Sequence, residues 1–366
     1  MIVADPGFEH VMVGSINHGY GVDLYISKGL YGAFYRIDTP SKGILLRQSL
    51  TIQNQSPGLR YCQCHISLID RVKLEHSVLS KRWVMKFLGY VIVLLVVTSS
   101  NVFGASPEAT YAKNGLVTSR STIASAVGVE IMRNGGNAVD GAVATAFALA
   151  VTYPSAGNIG GGGFAVVRLP NGKVVTLDHR EKAPASAHRD MFLDEKGAVI
   201  KGLSTASHKA AGVPGSVDGL LVLLERYGTM KREQVLQPAI RLAQDGFALT
   251  HDLAKQFNRR LPAMQQYPAS VAVFSRAGKP YQAGDLWKQP DLAKTLKLIS
   301  RQGRAGFYEG KTADLIVAEM KRGGGDISLQ DLKDYSSVWR EPIQGTYRGY
   351  KIYGMGPPSS GGVLVQ

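Results

Sequence analysis

From residue 119 onward, apolar residues recur three to four apart in long stretches and run unbroken in shorter ones, with glycine or proline between the stretches. That rhythm predicts helices joined by tight turns, with a few buried strands among them. A first helix is expected over 119–133. Ser119 or Ser121 can cap it, Ile123, Val127, Glu130 and Ile131 lie near one face, and Asn134-Gly135-Gly136 stops it. Asn137 can cap the next helix, over 138–151. Its alanines Ala142, Ala144, Ala146, Ala148 and Ala150 imply a buried helix packed close to its neighbours, and Tyr153-Pro154 ends it. Further helices are expected over 217–227, 232–244, 291–301 and 311–321. Ser328-Leu329-Gln330-Asp331 resembles a capping box opening a short helix to Tyr335. The section 250–285 reads as looser and polar, broken at Leu261-Pro262 and Tyr267-Pro268. Two strands, 343–347 and 350–353, face each other across an Arg348-Gly349 turn.

Residues 153–184 stand apart. Four consecutive glycines, Gly160 to Gly163, remove every side chain from one short segment, so the backbone there is expected to approach a neighbour closely or to take φ > 0. Residues 164–169 read as a buried strand. Pro170-Asn171-Gly172-Lys173 offers the Asn-Gly pair of a type I′ hairpin turn, and 174–178 is the returning strand, with Arg180 just past its end. A cation at the mouth of a hairpin, beside bare backbone, suits a carboxylate, because the planar guanidinium donates two parallel hydrogen bonds. The same features also fit a structural turn and a solvated surface arginine, and both readings stay open on the local pattern. The glycine run lacks the spacing and the Lys-Ser/Thr pair of a phosphate loop, which argues against nucleotide binding.

Composition changes this picture little. The 366 residues are 45% hydrophobic and 19% charged, enough for one large or two ordinary domains with a substantial core. The formal net charge is +14, but acids interleave with the bases throughout, so no nucleic-acid stripe is expected. Cys62, Cys64 and His65 form a tight group. A structural zinc site needs four ligands, usually with wider cysteine spacing and a second cluster, so the pair reads as incidental thiols and no metal is expected. No cysteine follows Cys64, and the remainder of the chain would tolerate an oxidising compartment. His188 and His208 lack a metal-spaced companion and read as surface residues.

Asn158-Ile159-Gly160-Gly161-Gly162-Gly163-Phe164, followed by Leu177-Asp178-His179-Arg180-Glu181-Lys182-Ala183-Pro184, resembles the large subunit of the γ-glutamyltranspeptidases, also called glutathione hydrolases. The likeness continues through Gly212-Val213-Pro214-Gly215-Ser216, Tyr227-Gly228, Gln237-Pro238-Ala239, Asp245-Gly246-Phe247, Phe307-Tyr308-Glu309-Gly310 and Tyr347-Arg348-Gly349-Tyr350, and ends at Gly356-Pro357-Pro358-Ser359-Ser360-Gly361-Gly362. Any one motif is weak. The ordered set, over 115–366, is specific.

The resemblance implies an α+β fold, the αββα sandwich of the N-terminal-nucleophile hydrolases, of which this chain would hold the large-subunit part. It implies a precursor that cuts itself in two, the new N-terminal Thr of the small subunit being the nucleophile and its α-amine the general base. The Thr hydroxyl would attack the γ-glutamyl amide of glutathione or another γ-glutamyl compound. Water or an amino acid or peptide acceptor would then resolve the acyl-enzyme, with no cofactor. Arg180 matches the family's arginine that grips the α-carboxylate of the γ-glutamyl group. Asp178 and Glu181 flank it, and one of them is expected to orient the guanidinium; Gly161 and Gly162 are expected to support the site. The implied partners are the small subunit and γ-glutamyl substrates, and no nucleic acid. The family's processing site and nucleophile lie past its Pro-Pro-Ser-Ser-Gly-Gly motif and, by this reading, beyond Gln366. No nucleophile is therefore assigned here, and this polypeptide alone is expected to be inactive, with an apolar sheet face left open. Ser359 and Ser360, on a Pro/Gly-rich turn, read as structural. A non-catalytic pseudoenzyme and a cephalosporin-acylase-like amidohydrolase are the alternatives; Arg180 favours a substrate with a free α-carboxylate.

Residues 1–84 resemble nothing in that family. They read as an upstream segment that is not native or is disordered. Met85-Lys86-Phe87-Leu88 then opens a basic start and an apolar core of about eleven residues, the form of a signal peptide and too short for an ordinary membrane span. Val102-Phe103-Gly104 offers its cleavage site. The expected organisation is therefore a signal peptide over 85–104, directing 105–366 to secretion or the periplasm. A signal anchor with a genuine cytoplasmic N-terminal segment is the rival.

Overall fold

The computed structural model describes residues 109–365 in full and, before them, the backbone of four strands. Two compact units are defined, 1–37 with 111–366, and 38–110; the fully described residues fall almost wholly in the first. The early strands are β1 (Ile2–Asp5), β2 (Phe8–Gly14), β3 (Leu24–Lys28) and β4 (Tyr31–Tyr35). Then come β5 (Leu116–Thr118), α1 (Thr122–Arg133), α2 (Ala138–Thr152), the hairpin β6 (Gly163–Arg168) and β7 (Val174–His179), α3 (Leu203–Ala206), α4 (Ser216–Tyr227) and α5 (Arg232–Asp245). They are followed by β8 (Phe247–Ala248), α6 (His251–Met264), α7 (Pro268–Phe274), β9 (Leu286–Trp287), α8 (Pro290–Gln302), α9 (Ala305–Tyr308), α10 (Gly310–Gly323) and α11 (Leu329–Asp334). The strands β10 (Val338–Arg340), β11 (Ile343–Tyr347) and β12 (Tyr350–Gly354) and the turn of helix α12 (Gly361–Leu364) come last.

The main sheet has six antiparallel strands in the order β10-β7-β6-β2-β1-β5. The β6–β7 register runs from Gly163 opposite His179 to Arg168 opposite Val174. Beside this sheet the alanine-rich α2 is the central core helix, as its composition predicts: Ala142, Ala144, Phe147, Ala148 and Val151 have no exposed surface. Close approach is built in, since a Cβ at Gly128 of α1 would lie 2.2 Å from Thr145 Oγ1 of α2.

The start of α2 is held by a buried carboxylate. Asn137 caps the helix, accepting from the N–H groups of Val139 and Asp140, and Asp140 Oδ2 accepts from the Asn137 N–H at 2.8 Å. Asp140 also accepts from the Thr229 N–H (3.0 Å), the Thr229 hydroxyl (2.7 Å) and the Met230 N–H (3.1 Å), tying α2 to the turn between α4 and α5. All these donors are neutral, and among the described residues no cation pairs with Asp140, which sits in the first turn of α2 where the helix N-terminus also favours a carboxylate.

Several expectations change. The hairpin turn is not type I′: Gly172 has φ +81° but Asn171 is not at positive φ, and the closing bonds are Gly172 N–H to Leu169 C=O and Leu169 N–H to Lys173 C=O. A two-residue Asn-Gly loop would need a ladder bond from the N–H of residue 170, and proline has none. The chain adopts a longer loop with a left-handed glycine instead. The section 250–285 is not loose. Leu253, Phe257 and Leu261 form the buried stripe of α6, and Pro262 lies in its last turn, where it removes one bond to the Asn258 carbonyl and leaves the preceding ladder intact. On α1 the buried positions are Ala124, Val127, Gly128 and Ile131, whereas Glu130 faces out to Arg241. The Arg348-Gly349 turn is as expected, with φ of 49° and 82°. Among the described residues no helix is long and apolar enough to cross a membrane, and no metal-binding group of His, Cys, Asp or Glu occurs. The expected signal peptide and the Cys62/Cys64/His65 group lie outside the described residues.

Replacing Asp140 with Ala would strand several buried donors at once. The expected loss is about 3 kcal/mol or more, with roughly half of it in Asp140→Asn, which keeps one acceptor oxygen. A denaturant midpoint unchanged by Asp140→Ala would refute this anchoring role.

Candidate functional site

Strand β7 ends at His179, and Arg180 is the first residue beyond it. The backbone of this corner is fixed from several sides. The Arg180 N–H donates to Asp178 Oδ1 at 3.0 Å, and its carbonyl accepts from the Tyr335 hydroxyl at 2.8 Å. Lys182 exchanges both backbone bonds with Val213, at 3.2 and 2.7 Å. Glycines make the remaining contacts. A Cβ at Gly162 would lie 2.5 Å from the His179 carbonyl, one at Gly215 would lie 2.1 Å from the same atom, and one at Gly212 would lie 2.9 Å from Glu181 Cβ. The Gly161 carbonyl accepts from the N–H groups of Gly215 and Ser216 at 2.7 and 2.9 Å, fastening the glycine run to the start of α4. None of Gly160 to Gly163 has positive φ. Of the two expectations for the run, close backbone approach is the one observed.

A polar cluster supports the corner. Asp218, in the first turn of α4, is buried. Its Oδ1 accepts from Arg304 Nε at 3.0 Å and its Oδ2 from the Ser337 N–H at 2.7 Å. Arg304 also donates to the carbonyls of Lys333 (2.8 Å) and Tyr335, and its guanidinium lies 4.6 Å from the centre of the Tyr308 ring. Tyr308 stacks on Tyr335 with ring centres 5.7 Å apart, and its hydroxyl donates to the Pro214 carbonyl at 2.8 Å. Burial raises both phenols above their ordinary range, so each remains a neutral donor.

The two acids flanking Arg180 take different partners. Asp178 lies on the opposite face of β7 from α4, accepts from Arg340 Nε at 2.8 Å, and otherwise holds the Arg180 N–H. Glu181 is the acid that meets the guanidinium, at 3.4 Å from Nε; the two side chains are 31% and 37% exposed. A pair so exposed is worth at most about 1 kcal/mol, so a ligand carboxylate could displace Glu181 or share the arginine with it. The guanidinium also lies 5.7 Å from the centre of the Phe164 ring. A cavity of about 260 Å³ between α5 and α8 and one of about 120 Å³ beside β10 both lie away from Arg180.

Sequence reasoning placed Arg180, Glu181, Gly161 and Gly162 together at the end of the hairpin. It missed, as parts of the site, Asp218, Arg304, Tyr335, Ser337 and Arg340, which come from distant segments, although the motifs Gly212-Val213-Pro214-Gly215-Ser216 and Phe307-Tyr308-Glu309-Gly310 both lie there. His179 was quoted only as part of a motif. It is buried, neither ring nitrogen has a partner among the described residues, and burial lowers its pKa to about 4, so it is neutral near pH 7. His208 is less exposed than expected. It pairs with Glu319 at 2.9 Å and packs on Gly323 and Gly325.

The glycine run makes unequal demands. Gly162→Ala is expected to lose about 2–3 kcal/mol through overpacking on residues 179–181, while Gly160→Ala, whose nearest neighbour is Asn158 Oδ1 at 3.9 Å, is tolerated. Equal melting temperatures for the two variants would contradict this geometry.

A family model described as Gamma-glutamyltranspeptidase matches residues 124–366. The glutathione hydrolase proenzyme of Pseudomonas sp. (strain A14) is 47% identical over 266 residues, 72% of this chain and 46% of that protein. That of Escherichia coli (strain K12) is 48% identical over 258 residues, 69% of this chain and 44% of that protein. This chain thus spans somewhat less than half the length of these relatives. The crystal structure of Helicobacter pylori gamma-glutamyltranspeptidase matches with a TM-score of 0.69 and 47% identity, covering 70% of this chain and 74% of that one. On the ordered motifs, the fold and these matches, the chain belongs to the γ-glutamyltranspeptidase family.

Proposed function

We propose that this chain is the large-subunit part of a glutathione hydrolase and γ-glutamyltransferase precursor, and that Arg180 binds the α-carboxylate of the γ-glutamyl group. The observation that carries this reading is the contrast at Arg180. Its backbone is fixed by Asp178 and Tyr335, while its guanidinium is about one-third exposed and, among the described residues, its ion pair is the one through Nε with a similarly exposed Glu181. Such an arginine is positioned in advance without being occupied, and a carboxylate can take two parallel bonds from it.

In the reaction, the Thr hydroxyl that heads the small subunit gives its proton to its own α-amine and bonds to the γ-carbonyl carbon. The C–N bond breaks, and the proton passes to the departing amine. Water or an acceptor amine then cleaves the ester and regenerates the Thr. The large-subunit part contributes orientation: holding the α-carboxylate at Arg180 fixes the distance at which the γ-amide is presented. The further partners in this reading are amino acid or peptide acceptors and the small subunit from the same precursor. Secretion or export to the periplasm, through the signal peptide expected over 85–104, is part of the same proposal.

Calorimetry of the full chain with L-glutamate tests the assignment. Arg180→Lys is expected to raise Kd at least about tenfold, because losing about 1.4 kcal/mol suffices for that and a lysine cannot reproduce the bidentate fork. A ligand of the same length without the α-carboxylate should bind the unaltered chain no better than glutamate binds the variant. An unchanged Kd for Arg180→Lys would remove Arg180 from the site.

A further inference from the structure

At this corner the side chain with most polar capacity and fewest partners is the one just before Arg180. Both ring nitrogens of His179 are buried and unpartnered among the described residues, and so is Ser337 Oγ. Extending the β7–β10 register by one step from Val338 opposite Asp178 sets Ser337 opposite His179. Directly opposed residues of an antiparallel pair share a face, and here that face is the one turned to α4. Gly219 of α4 lies so near that a Cβ there would be 2.3 Å from His179 Cβ and Cγ. The imidazole is therefore pressed against bare helix backbone, and its own carbonyl is the atom that Gly162 and Gly215 approach.

The charges around it are already engaged. Asp178, on its own strand, is held by Arg340 and the Arg180 N–H. Asp218, from α4, is held by Arg304 and the Ser337 N–H. Glu181, beyond the corner, pairs with Arg180. Tyr308 and Tyr335 remain neutral. Asp178 and Asp218 favour charge on the ring, but both are already bonded elsewhere and neither reaches a ring nitrogen, so burial outweighs them and an imidazolium formed in place would lack both water and a hydrogen-bonded partner. Protonation therefore favours the ring leaving.

We propose that His179 is a positioning residue for Arg180 and a proton-sensitive latch on the corner. Neutral, it keeps residues 179–181 closed on α4; protonated, it swings out and takes the Arg180 backbone with it. The consequence for ligand rests on Arg180 being the carboxylate-binding group, whereas the latch itself does not.

The direction follows from the burial. The closed imidazole titrates at about 4 against an ordinary 6.5. The opening constant is therefore flat above pH 6.5, rises as the pH falls through that value, and levels off below about pH 4.

Hydrogen exchange of the amides of residues 179–182, followed in the full chain from pH 7 to pH 4 without ligand and corrected for intrinsic rates, reads the latch. Opening is expected to increase on the order of 100-fold in the unaltered chain and to stay flat in His179→Phe, which keeps the ring shape without the proton. His179→Gln is a second non-titrating variant in case the first misfolds, and the imidazole NMR signal of the unaltered chain should titrate near the lowered value. Flat exchange in the unaltered chain, an equal rise in both variants, or a ring titrating near 6.5 would overturn the latch. Exchange at pH 5 with and without glutamate, at a concentration shown by calorimetry to saturate the chain, then separates the two claims. Slower opening of residues 179–182 in the bound chain supports the positioning role, because a ligand held by the closed corner suppresses its opening. Exchange that responds to pH but not to bound glutamate would overturn that role without touching the latch.

Discussion

The backbones of Gly162, Gly215 and Gly219 approach residues 179–181 more closely than any side chain would permit, and the rest of the site depends on that contact. It brings the first turn of α4 against the end of β7. That places Asp218 where Arg304 and the Ser337 N–H can reach it, and places Tyr335 where its hydroxyl meets the Arg180 carbonyl. A methyl group at any of the three positions would force these elements apart, and the hydrogen bonds depend on tenths of an ångström. The glycines weaken the chain entropically, and the polar cluster they admit offsets that cost.

The two faces of β7 divide the work. Toward α4 lie Leu177 and His179, with Trp339 of β10 opposite Leu177 and in edge contact with Tyr227. The other face carries Thr176 and Asp178, both bonded to Arg340. A strand buried on both faces can hold its last residue rigidly, which a loop could not, and Arg180 follows directly on that strand. Farther off, Asp140 fastens α2 to the turn after α4, so the helix that presses on His179 is itself anchored. Three of the six strands in the main sheet, β1, β2 and β5, precede the family match that begins at residue 124.

Much of this was legible in the sequence where the signal is local. The alanine spacing of α2, the Asn137 cap, the glycine run and the position of Arg180 each follow from a few adjacent residues. What was not legible is pairing between distant segments. Strand β10 is only Val338-Trp339-Arg340, too short to show an alternation, yet it supplies Arg340 to Asp178 and sets Ser337 across from His179. Asp218 and Arg304 carry no mutual signal across the residues between them. Helix α6 was missed because Pro262 reads as a break until its place in the last turn is known. The Asn-Gly pair misled in the opposite way, since its local preference yields to the missing N–H of Pro170.

The central claim is that a corner shaped by glycines holds Arg180 ready for a carboxylate. A crystal structure of the full chain soaked with L-glutamate tests it most directly. The account predicts both oxygens of the α-carboxylate about 3 Å from the Arg180 guanidinium nitrogens, with the backbone of 179–181 unmoved and Glu181 displaced or sharing the arginine. Glutamate bound elsewhere, or bound at Arg180 only after residues 179–181 have rearranged, would contradict it.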